Sequence, residues 1–173
     1  DIEVVHRAFE LDPTVPPEGM DLTGYLARKF GGADRLGQIH DRLDHAASDV
    51  DIDFRWDGKR RVNTFDAHRL TAWALATAGP DVQHRLHQRL FRAYFTENLD
   101  VADHAVLARL AADVGLDPDL AAEVLATGTY ADTVRAEDGG VLYSQQVLPP
   151  QEPDGDIVNT AAWTDAWQVF KLS

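Results

Sequence analysis

From residue 21 to 137, apolar side chains recur at three- and four-residue intervals almost without a break. Only a succession of α-helices turns that period into continuous buried faces. Leu22, Tyr25, Leu26 and Phe30 form the first stripe, which Gly31-Gly32 halts; Leu36, Ile39 and Leu43 carry the next over residues 33–47. A polar, acidic link from Ser48 to Asp57 reads as a turn with little helix before Gly58. Asn63 or Thr64 caps a helix running to Gly79, with Leu70, Trp73 and Ala74 as its buried face. Gly79-Pro80 closes that helix and opens another carrying Val82, Leu86, Leu90 and Tyr94. Asp103 caps a segment with Leu107, Leu110, Ala111 and Val114 at core spacing, ended by Gly115. Asp117-Pro118 starts a short helix with Leu120, Ala121, Val124 and Leu125, since proline suits the first helical position. Tyr130 and Val134 mark a last turn or two.

The two ends differ from this helical body. Residues 1–11 read as a strand, with Ile2, Val4 and Val5 as β-formers and Val5, Phe9 and Leu11 on one face, interrupted only by Arg7. Asp12-Pro13 ends it, and a proline-rich loop follows through Gly19. One strand cannot stand alone, so its partners are expected elsewhere in the chain or before it. Beyond residue 137, Gly139-Gly140, Pro149-Pro150 and Pro153-Asp154-Gly155 punctuate a short strand from Val141 to Leu148. Trp163, Trp167 and Phe170 share one helical face between Ala161 and Leu172. That face needs cover, and a homodimer through it is the expectation.

A chain of 173 residues suits one domain, able to bury roughly 70% of its unfolded surface without a disulfide or metal staple. Sixteen basic against 29 acidic residues give a net charge of −13. Such an excess argues against nucleic-acid or anionic-membrane surfaces, which need clustered Lys and Arg. There is no cysteine, hence no disulfide, thiolate nucleophile or Cys-ligated metal within the chain. No stretch reads as a membrane span or signal peptide. The first residue is Asp1 rather than Met, as in a processed, trimmed or incomplete chain.

Several segments taken together resemble the DsbA/FrnE-type thioredoxin-fold proteins. Val5-His6-Arg7-Ala8-Phe9-Glu10-Leu11-Asp12-Pro13 is similar to the strand that follows their redox helix. Asn63-Thr64-Phe65-Asp66-Ala67-His68-Arg69-Leu70 resembles a helix start of theirs, and Leu90 to Phe95 with Asn98 to Asp103 resembles a later stretch. Leu107 to Leu125 and Tyr130 to Val134 continue the likeness, so residues 1–137 follow the family's order. The resemblance implies an α/β fold, mostly helical by residue count: a thioredoxin-like sheet, incomplete at the N-terminus, with residues 21–137 as a large helical insertion and 138–173 as a divergent tail. It implies a thiol–disulfide oxidoreductase or isomerase without a resident cofactor or metal, acting on a protein or small thiol or disulfide in the bacterial cytoplasm. Two family features are missing. The Cys-x-x-Cys would precede Asp1, and the proline of the Gly-Val-Pro-type turn has no counterpart in Gly139-Gly140-Val141-Leu142-Tyr143. As given, the chain is redox-inactive. A redox-dead binding domain and a glutathione-dependent isomerase or transferase of the hydroxychromene-carboxylate isomerase type are the alternatives.

By the same resemblance, Phe9, Asn63, His68 and Arg69 line the substrate cleft. Three of them also have a plainer reading: Asn63 as a helix cap with Asp66 favouring the positive helix end, His68 as a packed histidine, and Phe9 as core. His84 and His87 at i, i+3, and Asp41 and His45 at i, i+4, each share a helical face. With a third ligand such as His104 either pair makes a metal site, but the spacing matches no metal signature, so none is expected. Phe91, Tyr94, Phe95 and Trp73 read as core, and Asp49, Asp51 and Asp53 as a solvated turn. No nucleophile elbow or phosphate loop is present.

Overall fold

The computed structural model describes residues 6–48, 50 and 52–136. Two short strands, β1 (Met20–Asp21) and β2 (Arg60–Arg61), pair antiparallel with Met20 opposite Arg61. Between them lies the hairpin of α1 (Leu22–Phe30) and α2 (Ala33–Ser48). The body follows: α3 (Phe65–Ala78), α4 (Pro80–Phe91), a π-helical turn (Arg92–Thr96), α5 (His104–Asp113) and α6 (Pro118–Ala126). Residues 131–136 are again helical.

The helix boundaries follow local chemistry. Asp21, Asp103 and Asp117 each accept two backbone N–H groups of the turn they open, answering donors that have no partner inside the helix. Gly31 ends α1 in the left-handed region at φ 89°, which a side chain would strain. Leu70, Leu86, Leu107 and Leu110 are wholly buried in the core shared by α3, α4, α5 and α6, and Val134 is wholly buried in the helical segment that follows. The α1–α2 hairpin is peripheral by comparison, since α1 buries no residue fully and α2 only Leu36 and Ala47. Its expected stripe fades along α2, where Leu43 is 42% exposed. Replacing Leu107 by alanine, deep in the body, is expected to cost about 2–5 kcal/mol in urea unfolding, because the void it leaves cannot close.

Three expectations are corrected. Residues 6–11 contain no strand; Ala8 is buried while Leu11 is 66% exposed, so the assumed alternation is reversed. The strand pair lies instead between β1 and β2, at the two ends of the first helical hairpin, which brings residues of distant sequence together. The helix after Pro80 does not run on through Tyr94, because the π-helical turn takes over at Arg92. The wider turn frees carbonyls that must be answered elsewhere. Lys59 donates to the Tyr94 carbonyl, Arg55 N–H to that of Phe95 at 2.8 Å, and Leu99 N–H to that of Ala93 at 2.8 Å. Lys59 Nζ also sits 4.2 Å from the Tyr94 ring centre. Deprived of water there, its pKa falls to about 8. Asp1 to Val5, the strand expected from Val141 to Leu148, and Trp163, Trp167 and Phe170 all lie outside the described residues.

Candidate functional site

A cleft of about 570 Å³ opens beside the start of α3. Its floor is Asn63, Phe65 and Asp66; Glu10, Pro13 and Pro17 of the leading loop form one wall. Ala102 and His104 close the side toward α5, and Arg135 stands at the rim. Asn63 fastens floor to wall. Its Oδ1 accepts the Phe65 N–H at 2.9 Å while its Nδ2 donates to the Val15 carbonyl at 3.0 Å. Thr64 is the residue at the cap position, yet it makes no side-chain bond there. Asn63 thus starts α3 by turning back onto Phe65, as asparagine commonly does.

Asp12 steadies the wall. Its Oδ1 accepts from both the N–H (2.9 Å) and the hydroxyl (2.5 Å) of Thr14, and its Oδ2 accepts from Arg61 at 2.6 Å. The Thr14 bonds, aided by Arg61, hold its carboxyl below the usual aspartate range. Asp66 lies in the first turn of α3, where a negative charge suits the helix dipole. It receives Arg69 on Oδ1 and His104 on Oδ2, each at 2.6 Å. The result is an Arg–Asp–His line running from the core to the cleft, ending on an imidazole half open to solvent. Arg135 lies with its guanidinium 5.3 Å from the centre of the Phe65 ring, within cation–π range. The cleft therefore offers one aromatic ring on an otherwise polar floor, an oriented imidazole, a cation and an acid.

Of the residues expected from the sequence, Asn63 faces this cleft. Arg69 is buried behind it, and every one of its N–H groups is engaged: with Asp66, and with the carbonyls of Val124, Leu125, Thr127 and Thr129. His68 and Phe9 are half-buried and do not line the cleft among the described residues. His84 and His87 meet His6 rather than His104. Asp41 and His45 lie on exposed parts of α2, and among the described residues no group of three His, Cys, Asp or Glu is placed to hold a metal ion. The Asp66–His104 pair escaped sequence reasoning because 38 positions separate its members and no motif links them.

A family model described as the DSBA-like thioredoxin domain matches residues 1–140. The chain is also similar to the crystal structure of a probable DsbA oxidoreductase from Streptomyces coelicolor, with 30% sequence identity and a TM-score of 0.75. That likeness covers 87% of this chain and 64% of the Streptomyces chain, so the present chain spans less than two thirds of its relative. Comparison with curated proteins finds no match. No helix of the described residues is long and apolar enough to cross a membrane.

Proposed function

The chain belongs to the DSBA-like thioredoxin domain family, and from that membership we propose that it forms the substrate-facing helical part of a cytoplasmic thiol–disulfide oxidoreductase. The observation that carries this reading is the cleft at the start of α3, whose lining residues all fall within the family match over residues 1–140. In this role the cleft holds an extended peptide flanking the disulfide: Phe65 packs its apolar part, while His104 and Arg135 bind its carbonyls or acidic groups. The exchange itself requires a thiolate to attack one sulfur of the substrate disulfide. That S–S bond breaks, its electron pair leaves on the departing sulfur, and a second thiol resolves the mixed disulfide. Neither thiol is among these 173 residues.

A second reading is a redox-silent binding domain on the same scaffold. The coding sequence directly upstream of Asp1 and the activity of the complete reading frame separate the two. Cys-x-x-Cys together with insulin-disulfide reduction is the expected result. Arg135→Ala, on the exposed rim, should then raise KM several-fold with kcat unchanged, the mark of lost uniform binding. A serine at the first position together with glutathione conjugation or isomerisation would move the assignment to the glutathione-dependent branch. Neither thiol nor activity leaves the binding reading.

A further inference from the structure

His6, in the segment that leads into the cleft wall, stacks on two histidines one turn apart on α4. Its ring centre lies 5.3 Å from that of His84 and 4.6 Å from that of His87, with interplanar angles of 23° and 29°. The hydrogen bonds accommodate one neutral distribution of protons, with the Gln88 amide oriented as a donor. Gln88 Nε2 donates to His84 Nε2 at 3.0 Å, so that nitrogen carries no proton. The proton of neutral His84 is then on Nδ1, which donates to His6 Nε2 at 3.0 Å. His87 donates from Nδ1 to the Gln83 carbonyl at 3.0 Å. All three rings thus fit one arrangement in which each is neutral. A single added proton is absorbed if the Gln88 amide turns over and presents its oxygen. A second places like charges in stacked rings and, when His6 and His84 are the two charged rings, sets N–H against N–H between them.

We propose that His6, His84 and His87 form an acid-sensitive latch that docks residues 6–11 on α4 when neutral and releases them when two of the rings are protonated, while Asp12 and Val15 stay fastened to Arg61 and Asn63. Release moves Glu10, so the latch sets whether the cleft has that part of its wall, whatever chemistry the cleft serves. The charged groups that face His87 reinforce the direction. They are His6, His68 from α3 and His84, each opposing protonation, with only the Gln83 carbonyl favouring it. Burial and His84 likewise lower His6.

Backbone 15N relaxation with histidine ring titration on the same chain tests this. At pH 7 the order parameters of residues 6–11 are expected near those of ordered backbone. At pH 4.5 they should fall below about 0.6, while residues 12–17, α5 and α6 stay near 0.85. The fall should follow ring protonation in the cluster. In the His6→Gln, His84→Gln double variant, whose amides donate and accept without titrating, residues 6–11 should stay ordered at both pH values. A loss of order that ignores ring protonation, a uniform loss over all helices, or unchanged order at pH 4.5 overturns the latch. So does a variant that retains the wild-type pH response.

Discussion

Replacing Arg69 by methionine is expected to lower stability by about 3–5 kcal/mol, seen as a fall in the urea midpoint with an unchanged slope. Methionine roughly keeps the buried volume but brings no donor. Arg69 is 4% exposed and reaches the carbonyls where α6 ends, at Val124, Leu125 and Thr127, and also that of Thr129 at 2.9 Å. The last carbonyls of a helix have no partner within it, and a cation there also suits the negative end of the dipole. Removing the guanidinium leaves several buried acceptors unanswered and strips Asp66 of its buried partner. Because ordinary domains hold only about 5–15 kcal/mol of stability, the variant should sit near the edge of folding. Arg69→Lys should recover only part of the loss, since one ammonium cannot span carbonyls on several residues. A midpoint unchanged in the methionine variant would show that these bonds add nothing.

Acidification from pH 7 to pH 4.5 should cost about 2 kcal/mol through His87 alone. Burial, then the nearby His6, drive its pKa from 6.5 down to about 4. The native state therefore favours the neutral ring, while the unfolded chain takes up a proton below 6.5. Between about 4 and 6.5 the unfolded state binds more protons, so stability rises with pH across that window. It is fully present above 6.5 and is lost as pH falls toward 4. Urea unfolding at several pH values should show this slope in the native chain and a flatter one in His87→Gln. Asp12 works in a different window. Its carboxyl lies below 3.8 in the fold, so its contribution is lost only in stronger acid. Equal slopes in the native chain and the variant would place the acid sensitivity elsewhere.

The pieces legible in the sequence are those set by neighbours along the chain. Asp103 and Asp117 announce helix starts because a cap needs only the next two or three residues. Gly31 and Gly115, at φ 89° and 90°, mark stops for the same local reason. The helical period over residues 65–126 places Leu70, Leu86, Leu107 and Leu110 in the core, since one face of a helix must be buried for the helix to persist. Residues 6–11 mislead because alternation over so few positions is weak without a partner in view. The π-helical turn at Arg92 was equally hidden, for Lys59, Arg55 and Leu99 answer its carbonyls from other segments.

The sequence alone determined that this chain is a helical body in a family of thioredoxin-like domains, and that its 173 residues contain no sulfur nucleophile. Those conclusions rest on periodicity, motif order and composition, which survive without coordinates. The tertiary structure decided what the polar residues do. It joined Asp66 to His104, turned Arg69 inward to close α6, and laid His6 across His84 and His87. Such pairings span 38 to 81 positions, and a hydrogen bond depends on a distance of about 3 Å that no local pattern encodes.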